Sequence, residues 1–338
     1  MKAAYYTGNK TFAIEDVQPK EPGTAEVQVE VAFCGVCGTD MHVYHGAMDA
    51  RIGNHRVIGH EMSGKVSAVG AGADQIAIGD HVVIRPLDAC GDCPACARGH
   101  RHICQNLKFL GLDTDGAFQQ KWTVPAHTVH KIPADLALEH AALIEPLAVA
   151  CHDVQRSRLQ MGEDVLVIGG GPIGMLIAMV AKHAGGNVTL SEVNPYRLKM
   201  AEGQGFAVLD PRSTDVGEAI NTATNNKGAD VVFEVSGTQA GVDTMTAAAA
   251  VRARIVMVAI HPNKPAIDMF SFFWREFELL GARVYEPEDY EEAIELLTSN
   301  AIDCGAMITD VRDLDDIASA FQALDGNAEA MKSLIKVA

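Results

Sequence analysis

The sequence predicts an α/β protein in two parts, a β-rich first portion followed by a doubly wound parallel sheet. Length comes first: 338 residues leave room for about two domains at roughly 150 residues each. The second observation is a change of pattern. Up to about Glu145 apolar and polar positions alternate between glycine-marked turns, whereas beyond it short continuous apolar runs alternate with helical stretches. The third is composition, because 48% hydrophobic and 21% charged residues place the chain among those that fold.

Val27, Val29, Val31 and Phe33 alternate with polar or small neighbours and predict a strand, which Cys34 continues. Val82-Val83-Ile84 follows the turn signal Gly79-Asp80 and predicts another. Glycines at 59, 64, 70, 72 and 79 suit a small, tightly curved all-β domain with irregular loops. Val165-Leu166-Val167-Ile168 then reads as a strand buried on both faces, and Gly174 to Ala184 as an apolar helix. Val188 to Leu190, Ala229 to Val235 and Arg254 to Val258 are further strands. Asn194 to Gly203, with Pro195 early in it, and Gly241 to Ala250 are the helices between. From Tyr285 onward the chain reads as charged and helical, with amphipathic stretches over Tyr290 to Leu297 and Leu314 to Leu324.

Lys and Arg number 27 against 44 Asp and Glu, a formal charge of −17 that repels polyphosphate and anionic lipid. No nucleic-acid or membrane partner is expected. No stretch approaches the ~18 apolar residues of a span, and Met1 to Tyr6 lacks the apolar segment of an export signal, so a cytoplasmic protein is expected. Its eight cysteines then read as thiols or metal ligands rather than disulfides.

Gly169-Gly170-Gly171-Pro172-Ile173-Gly174 matches G-x-G-x-x-G directly after a predicted strand and at the opening of a helix. Gly169 allows the tight turn, Gly171 lets backbone approach a pyrophosphate, and Gly174 lets helix pack on strand. The helix N-terminus supplies N–H groups and positive dipole. Glu192 lies 18 residues beyond Gly174, near the spacing of the acid that binds the adenosine ribose hydroxyls. A carboxylate there repels a 2'-phosphate, which favours NAD over NADP. Arg197 packs on adenine or serves a phosphate in this reading.

Cys90-x2-Cys93-x2-Cys96-x7-Cys104 places four thiolates in a turn-rich stretch with few apolar side chains. A tetrahedral zinc would close such a lobe and supply the folding free energy that burial cannot. An iron–sulfur cluster is the competitor, and no other electron-transfer feature accompanies it. Cys37, His60 and Glu61 offer a sulfur, an imidazole and a carboxylate, leaving a fourth position open as a Lewis-acid zinc requires. On spacing alone a structural His-Glu pair competes with that reading.

Cys37-Gly-Thr-Asp40, Gly59-His60-Glu61, the four-cysteine lobe, Ile144-Glu145-Pro146-Leu147-Ala148 and the loop at 169 to 174 occur in the order seen in zinc-dependent medium-chain alcohol dehydrogenases. The resemblance covers essentially the whole chain. It is strongest to the sorbitol and polyol dehydrogenase branch, with threonine dehydrogenases as near neighbours. It implies a GroES-like catalytic domain split over 1–145 and 285–338, with a Rossmann NAD-binding domain at 146–284. It also implies catalytic zinc on Cys37, His60 and Glu61, with Glu145 as a further ligand or as partner of the zinc-bound water. Asp40 would orient His60 through its other ring nitrogen. Thr39 would contact the substrate oxygen, and His42 would end a proton relay for which His45 competes.

The expected enzyme carries two zinc ions per subunit and oxidises a secondary alcohol, a polyol to its ketose, through a zinc-stabilised alkoxide with hydride passing to NAD. The small-molecule alcohol is its partner, and a homodimer or homotetramer joined at the Rossmann sheet edge is implied. L-Threonine 3-dehydrogenase is the alternative within the family. A dinucleotide-binding sensor or structural protein with only the structural zinc is the alternative of another class.

Overall fold

Val27, Val29 and Val31 point to one side of the strand Glu26–Gly35 and are fully buried, which makes this strand the spine of the first sheet. The computed structural model describes residues 1–326 and 329–338 and divides them into two units, Met1–Glu145 with Glu286–Ala338, and Pro146–Tyr285. In the first unit Glu26–Gly35 pairs antiparallel with Glu61–Val69, Lys121–Pro125 and Lys332–Lys336. His81–Ile84 and Val129–Lys131 extend the sheet on one side, and Ile308–Asp313 on the other. Thr11–Asp16, Lys2–Gly8 and Arg56–Val57 form a smaller sheet. The C-terminal segment is tied in by Tyr290, whose buried hydroxyl donates to the Ile84 carbonyl at 2.9 Å.

Two expectations for this unit are corrected. The first 150 residues are not all-β, because short helices cover Gly38–Tyr44, Asp49–Ile52, Pro94–Ala97 and Leu138–Ala141. None completes much more than two turns, too little for a 3.6-residue apolar period to show. The tail is not purely helical either. Pro287–Thr298 and Ile317–Gly326 are helices, but Ile308–Asp313 and Lys332–Lys336 are strands. The last is a five-residue strand bounded by lysines, one of which is buried, so its sequence hides its burial.

The second unit is a parallel sheet in the order Ala207–Leu209, Asn187–Ser191, Asp164–Ile168, Ala229–Glu234, Ala249–Met257, Glu278–Gly281. Asp164–Ile168 lies inside the sheet, and Val165 to Val167 are buried on both faces. Its helices are capped by sequence. Asn194 accepts from Tyr196 N–H at 2.9 Å to open Pro195–Gly203, and Thr238 accepts from Gly241 N–H at 3.0 Å to open Gln239–Ala248. The latter helix ends before the predicted Ala250, since Ala249 and Ala250 already belong to the next strand. The run Ala247 to Ala250 carries no periodicity to decide between the two. The helix Met269–Arg275 and the strand Glu278–Gly281 were not expected. That helix is apolar nearly all round, so no 3.6-residue alternation of apolar and polar faces marks it.

The order of strand addition reverses at Asp164–Ile168, which makes the carboxyl ends of the strands, where Gly169, Glu192 and Ser236 emerge, a topological switch point. Among the described residues no helix is long and apolar enough to cross a membrane.

Candidate functional site

The four cysteines of the 90–104 lobe converge. Cys93 and Cys96 sulfurs lie 3.5 Å apart, Cys93 and Cys104 3.8 Å, and Cys90 and Cys104 3.4 Å. A zinc with four sulfurs at 2.3 Å has tetrahedral edges of about 3.8 Å, so the lobe fits that ion. Backbone N–H groups already point at the sulfurs: Cys90 and Asn106 donate to Cys104 at 3.4 and 3.3 Å, and Gln105 to Cys93 at 3.4 Å. Donation from the Cys96 and Gln105 backbones pulls the Cys93 thiol down to about 6.

Cys37, His60 and Glu61 bring their ligand atoms within 4.8 Å of one another. His60 and Glu61 are 1% exposed, and Cys37 is half-buried. Three local features place them. Cys37 caps the helix Gly38–Tyr44, its sulfur accepting from Thr39 N–H at 3.5 Å while Asp40 accepts from Cys37 N–H at 2.9 Å. His60 follows Gly59, whose φ of +94° is a conformation glycine adopts freely. Glu61 begins the strand Glu61–Val69 opposite Gly35. Burial disfavours a charged imidazole, yet the negative Asp40 and Cys37 more than offset it and hold His60 well above its ordinary range.

A fourth group, unforeseen in the sequence, completes the cluster. Lys332 is 3% exposed, and its ammonium forms an ion pair with Glu61 Oε2 and donates to the Val36 carbonyl at 3.1 Å. Gly35 makes the room: a Cβ there would overlap the Glu61 carboxylate and stand 3.0 Å from Lys332 Cε. Burial opposes the ammonium, but Glu61 and Cys37 raise it. The one signal in sequence is a lysine at the head of a short, partly apolar strand, too common to single out.

Asp40 is completely buried, and its Oδ1 stands 3.8 Å from His60 Nδ1, an ion-pair distance beyond hydrogen bonding. The expected hydrogen bond to the imidazole is therefore absent from this geometry, and the carboxylate closes the helix cap instead. Glu145, in the first turn of Ile144–Ser157, is 6% exposed and near enough for its charge to raise His60 and Lys332. Thr39 is half-buried in the first turn after Cys37, and His42 is exposed in the last turn of the same helix. His45 is drawn elsewhere, its Nε2 lying 2.7 Å from Asp325.

In the second unit Gly171 precedes the helix Pro172–His183, which has no side-chain cap, so its first N–H groups are open to an anion. A Cβ on Gly174 would overlap the Gly169 carbonyl, whereas one on Gly171 would meet only Arg197 Nη1, at 3.6 Å. The close packing falls on Gly174 and the open approach on Gly171, as a pyrophosphate cradle requires; Ile173 lies in the first turn. Glu192 is 6% exposed and accepts from Gly170 N–H at 2.7 Å, Val193 N–H at 2.6 Å and Asn194 N–H at 2.8 Å. It ties the glycine loop to the neighbouring strand end, a task the sequence did not reveal. Arg197 Nη1 lies 3.9 Å from it.

Lys332→Met should leave Glu61 buried without its counter-ion and cost the metal-free protein about 3–5 kcal/mol. Urea unfolding of chelator-treated protein measures this, and restoring metal should narrow the deficit. Equal midpoints for the metal-free variant and parent would show that the ion pair carries no such weight.

Residues 23–134 match the alcohol dehydrogenase GroES-like domain, and residues 172–299 match the zinc-binding dehydrogenase domain. The chain is 52% identical over 336 residues to 2-dehydro-3-deoxy-L-galactonate 5-dehydrogenase of Pseudoalteromonas atlantica, covering 99% of this chain and 98% of that one. It is 32% identical to sorbitol dehydrogenase of Bacillus subtilis, covering 99% and 97%. The crystal structure of 2R,3R-butanediol dehydrogenase from Bacillus subtilis superposes with a TM-score of 0.93 at 29% identity, covering 100% and 99%. Two cysteine-bearing groups that could hold a metal ion and an open glycine loop thus stand in a chain that resembles these enzymes throughout. The protein belongs to the zinc-dependent medium-chain alcohol dehydrogenases and is an NAD-dependent oxidoreductase acting on a secondary alcohol.

Proposed function

We propose that the substrate is a polyhydroxylated chain oxidised at one secondary hydroxyl, with a 2-dehydro-3-deoxy sugar acid the first to test. The observation that carries the site reading is the convergence of Cys37, His60 and Glu61 ligand atoms within 4.8 Å in a place water scarcely reaches. In this reading Cys37, His60 and Glu61 hold the catalytic zinc, assisted by Glu145, and Cys90, Cys93, Cys96 and Cys104 hold the structural one. Zinc supplies Lewis-acid polarisation of the alcohol, and NAD supplies the hydride acceptor. Thr39 Oγ1 would accept the alcohol proton while giving up its own, which would pass by way of the nicotinamide ribose hydroxyl to His42 and from there to water. His45, committed to Asp325, drops out of the competition for that role.

Gly169, Gly171, Pro172, Ile173 and Gly174 cradle the pyrophosphate, Glu192 faces the adenosine ribose, and Arg197 flanks Gly171. A homodimer or homotetramer is supported by the sheet-edge strand Glu278–Gly281 and by exposed Phe270, Phe273 and Trp274 nearby in sequence. A cytoplasmic location accords with the free thiols.

A steady-state panel at fixed NAD should rank the sugar acid or sorbitol above L-threonine by at least about tenfold in kcat/KM, each tenfold being one decade of transition-state discrimination. Threonine ahead by a hundredfold would overturn the polyhydroxylated reading. Cys37→Ser should reduce bound zinc from two per chain to one with folding intact, while Cys96→Ser should lower thermal stability sharply. Equal destabilisation by both would contradict the division of roles. Glu192→Ala should lower the NAD to NADP preference in kcat/KM by about tenfold, the worth of one charge-assisted hydrogen bond; an unchanged ratio would assign selectivity elsewhere.

A further inference from the structure

The carboxyl edge of the parallel sheet holds a buried carboxylate with an imidazole against it that no role described so far uses. Glu234 ends the strand Ala229–Glu234 and is 0% exposed. Its Oε1 accepts from Ser236 N–H at 3.0 Å and from the Ser236 hydroxyl, and Gly237 N–H lies 3.2 Å from it. Its Oε2 lies 3.0 Å from His261 Nε2, on the segment that follows the adjacent strand Ala249–Met257. The Glu234 carbonyl accepts from Val258 and Ala259 N–H at 3.0 and 3.1 Å, so backbone and side chain join the same two strand ends. A carboxylate so far from water needs donors around both oxygens, and the turn provides them, Gly237 N–H reaching Oε2 at 3.3 Å as well, while His261 Nε2 stands beside Oε2 outside hydrogen-bond geometry and without another partner among the described residues.

The turn fixed in this way supports the glycine loop. A Cβ on Gly169 would stand 3.0 Å from Ser236 N and 3.2 Å from Val235 C. Val235 N–H donates to Ile168 O at 2.9 Å, directly before that glycine. Backbone meets backbone here, with no side chain between to absorb a displacement.

We propose that His261 is a positioning residue for the dinucleotide. With Nε2 seated 3.0 Å from Glu234 Oε2, its ring would brace the Glu234 side chain, hold the Val235–Gly237 turn against Gly169 and keep the cofactor loop in its binding shape. The proposal rests on the reading of Gly169–Gly174 as that loop, and its test separates the two.

The experiment uses the full zinc-loaded chain with His261→Ala, His261→Asn and His261→Gln. NADH affinity is read by fluorescence titration, KM for NAD and kcat from initial rates, and folding from thermal melting and zinc content. The glutamine amide N–H reproduces the reach of Nε2, and the asparagine one falls short. Ala and Asn should each weaken NADH binding and raise KM for NAD by about tenfold or more, the scale of a lost polar contact to a buried carboxylate. The turnover number should stay within about threefold, and Gln should restore affinity to within about threefold. Wild-type affinity in Asn and Ala would overturn the proposal. So would a loss that Gln leaves unrepaired while all three variants melt early, since that marks a merely structural bridge. Gly171→Asp, built into open space at the loop, serves as the control. If it leaves NADH binding intact, the loop reading fails; if it abolishes binding while His261→Asn does not, only the role of His261 fails.

Discussion

A carboxylate and an ammonium share a space between strands that water scarcely enters, and much of the first unit is arranged around that fact. Glu61 and Lys332 lie on opposite sides of Gly35, whose missing side chain is the space they occupy. Bringing them together requires the C-terminal strand to lie beside Glu26–Gly35 in one register, because a slip of one residue would turn Lys332 away. The split of this unit between the two ends of the chain has a physical counterpart in that pair. Burying two charges is unfavourable unless each is compensated, and the compensation reaches from Glu61 through Lys332 to the Val36 carbonyl.

The same economy explains why the Cys37, His60 and Glu61 cluster needs so few residues. Cys37 is at once a helix cap and a sulfur ligand candidate, and Asp40 closes that cap while its second oxygen faces His60. Local secondary structure therefore orients the site without dedicated scaffolding. In the second unit Glu192 and Glu234 do comparable work at the ends of the two strands that flank Asp164–Ile168. Each is a buried carboxylate that gathers backbone N–H groups, one around Gly170 and the other around the turn beneath Gly169. The cofactor loop is held from both sides by acids that are themselves satisfied by backbone.

Legibility in the sequence followed the range of the interaction. The four-cysteine lobe and the glycine loop are contiguous, so each could be singled out before any fold, although the lobe's spacing suits an iron–sulfur cluster as well as zinc. Val165 to Ile168 and Val27 to Phe33 carried their burial in their periodicity. Cys37, His60 and Glu61 were recognisable as a set only through the family resemblance, since spacing alone left a structural His-Glu pair open. Lys332 and His261 were invisible because their partners lie far away in sequence: 271 positions separate Glu61 from Lys332. The expected Asp40 hydrogen bond to His60 failed by about an ångström, because the cap of a seven-residue helix claims the carboxylate first.

The central claim is that the buried cluster of Cys37, His60 and Glu61 is a metal centre distinct from the thiolate lobe. Replacement of the more labile zinc by cobalt(II), followed by visible absorption, tests it most directly, because cobalt reports geometry and sulfur count in its spectrum. The account predicts uptake of one cobalt per chain, with the intense visible bands of a four-coordinate site and a single-thiolate charge-transfer band that disappears in Cys37→Ser. Cobalt bound only with the spectrum of four thiolates, or a single-thiolate band unchanged in Cys37→Ser, would contradict it.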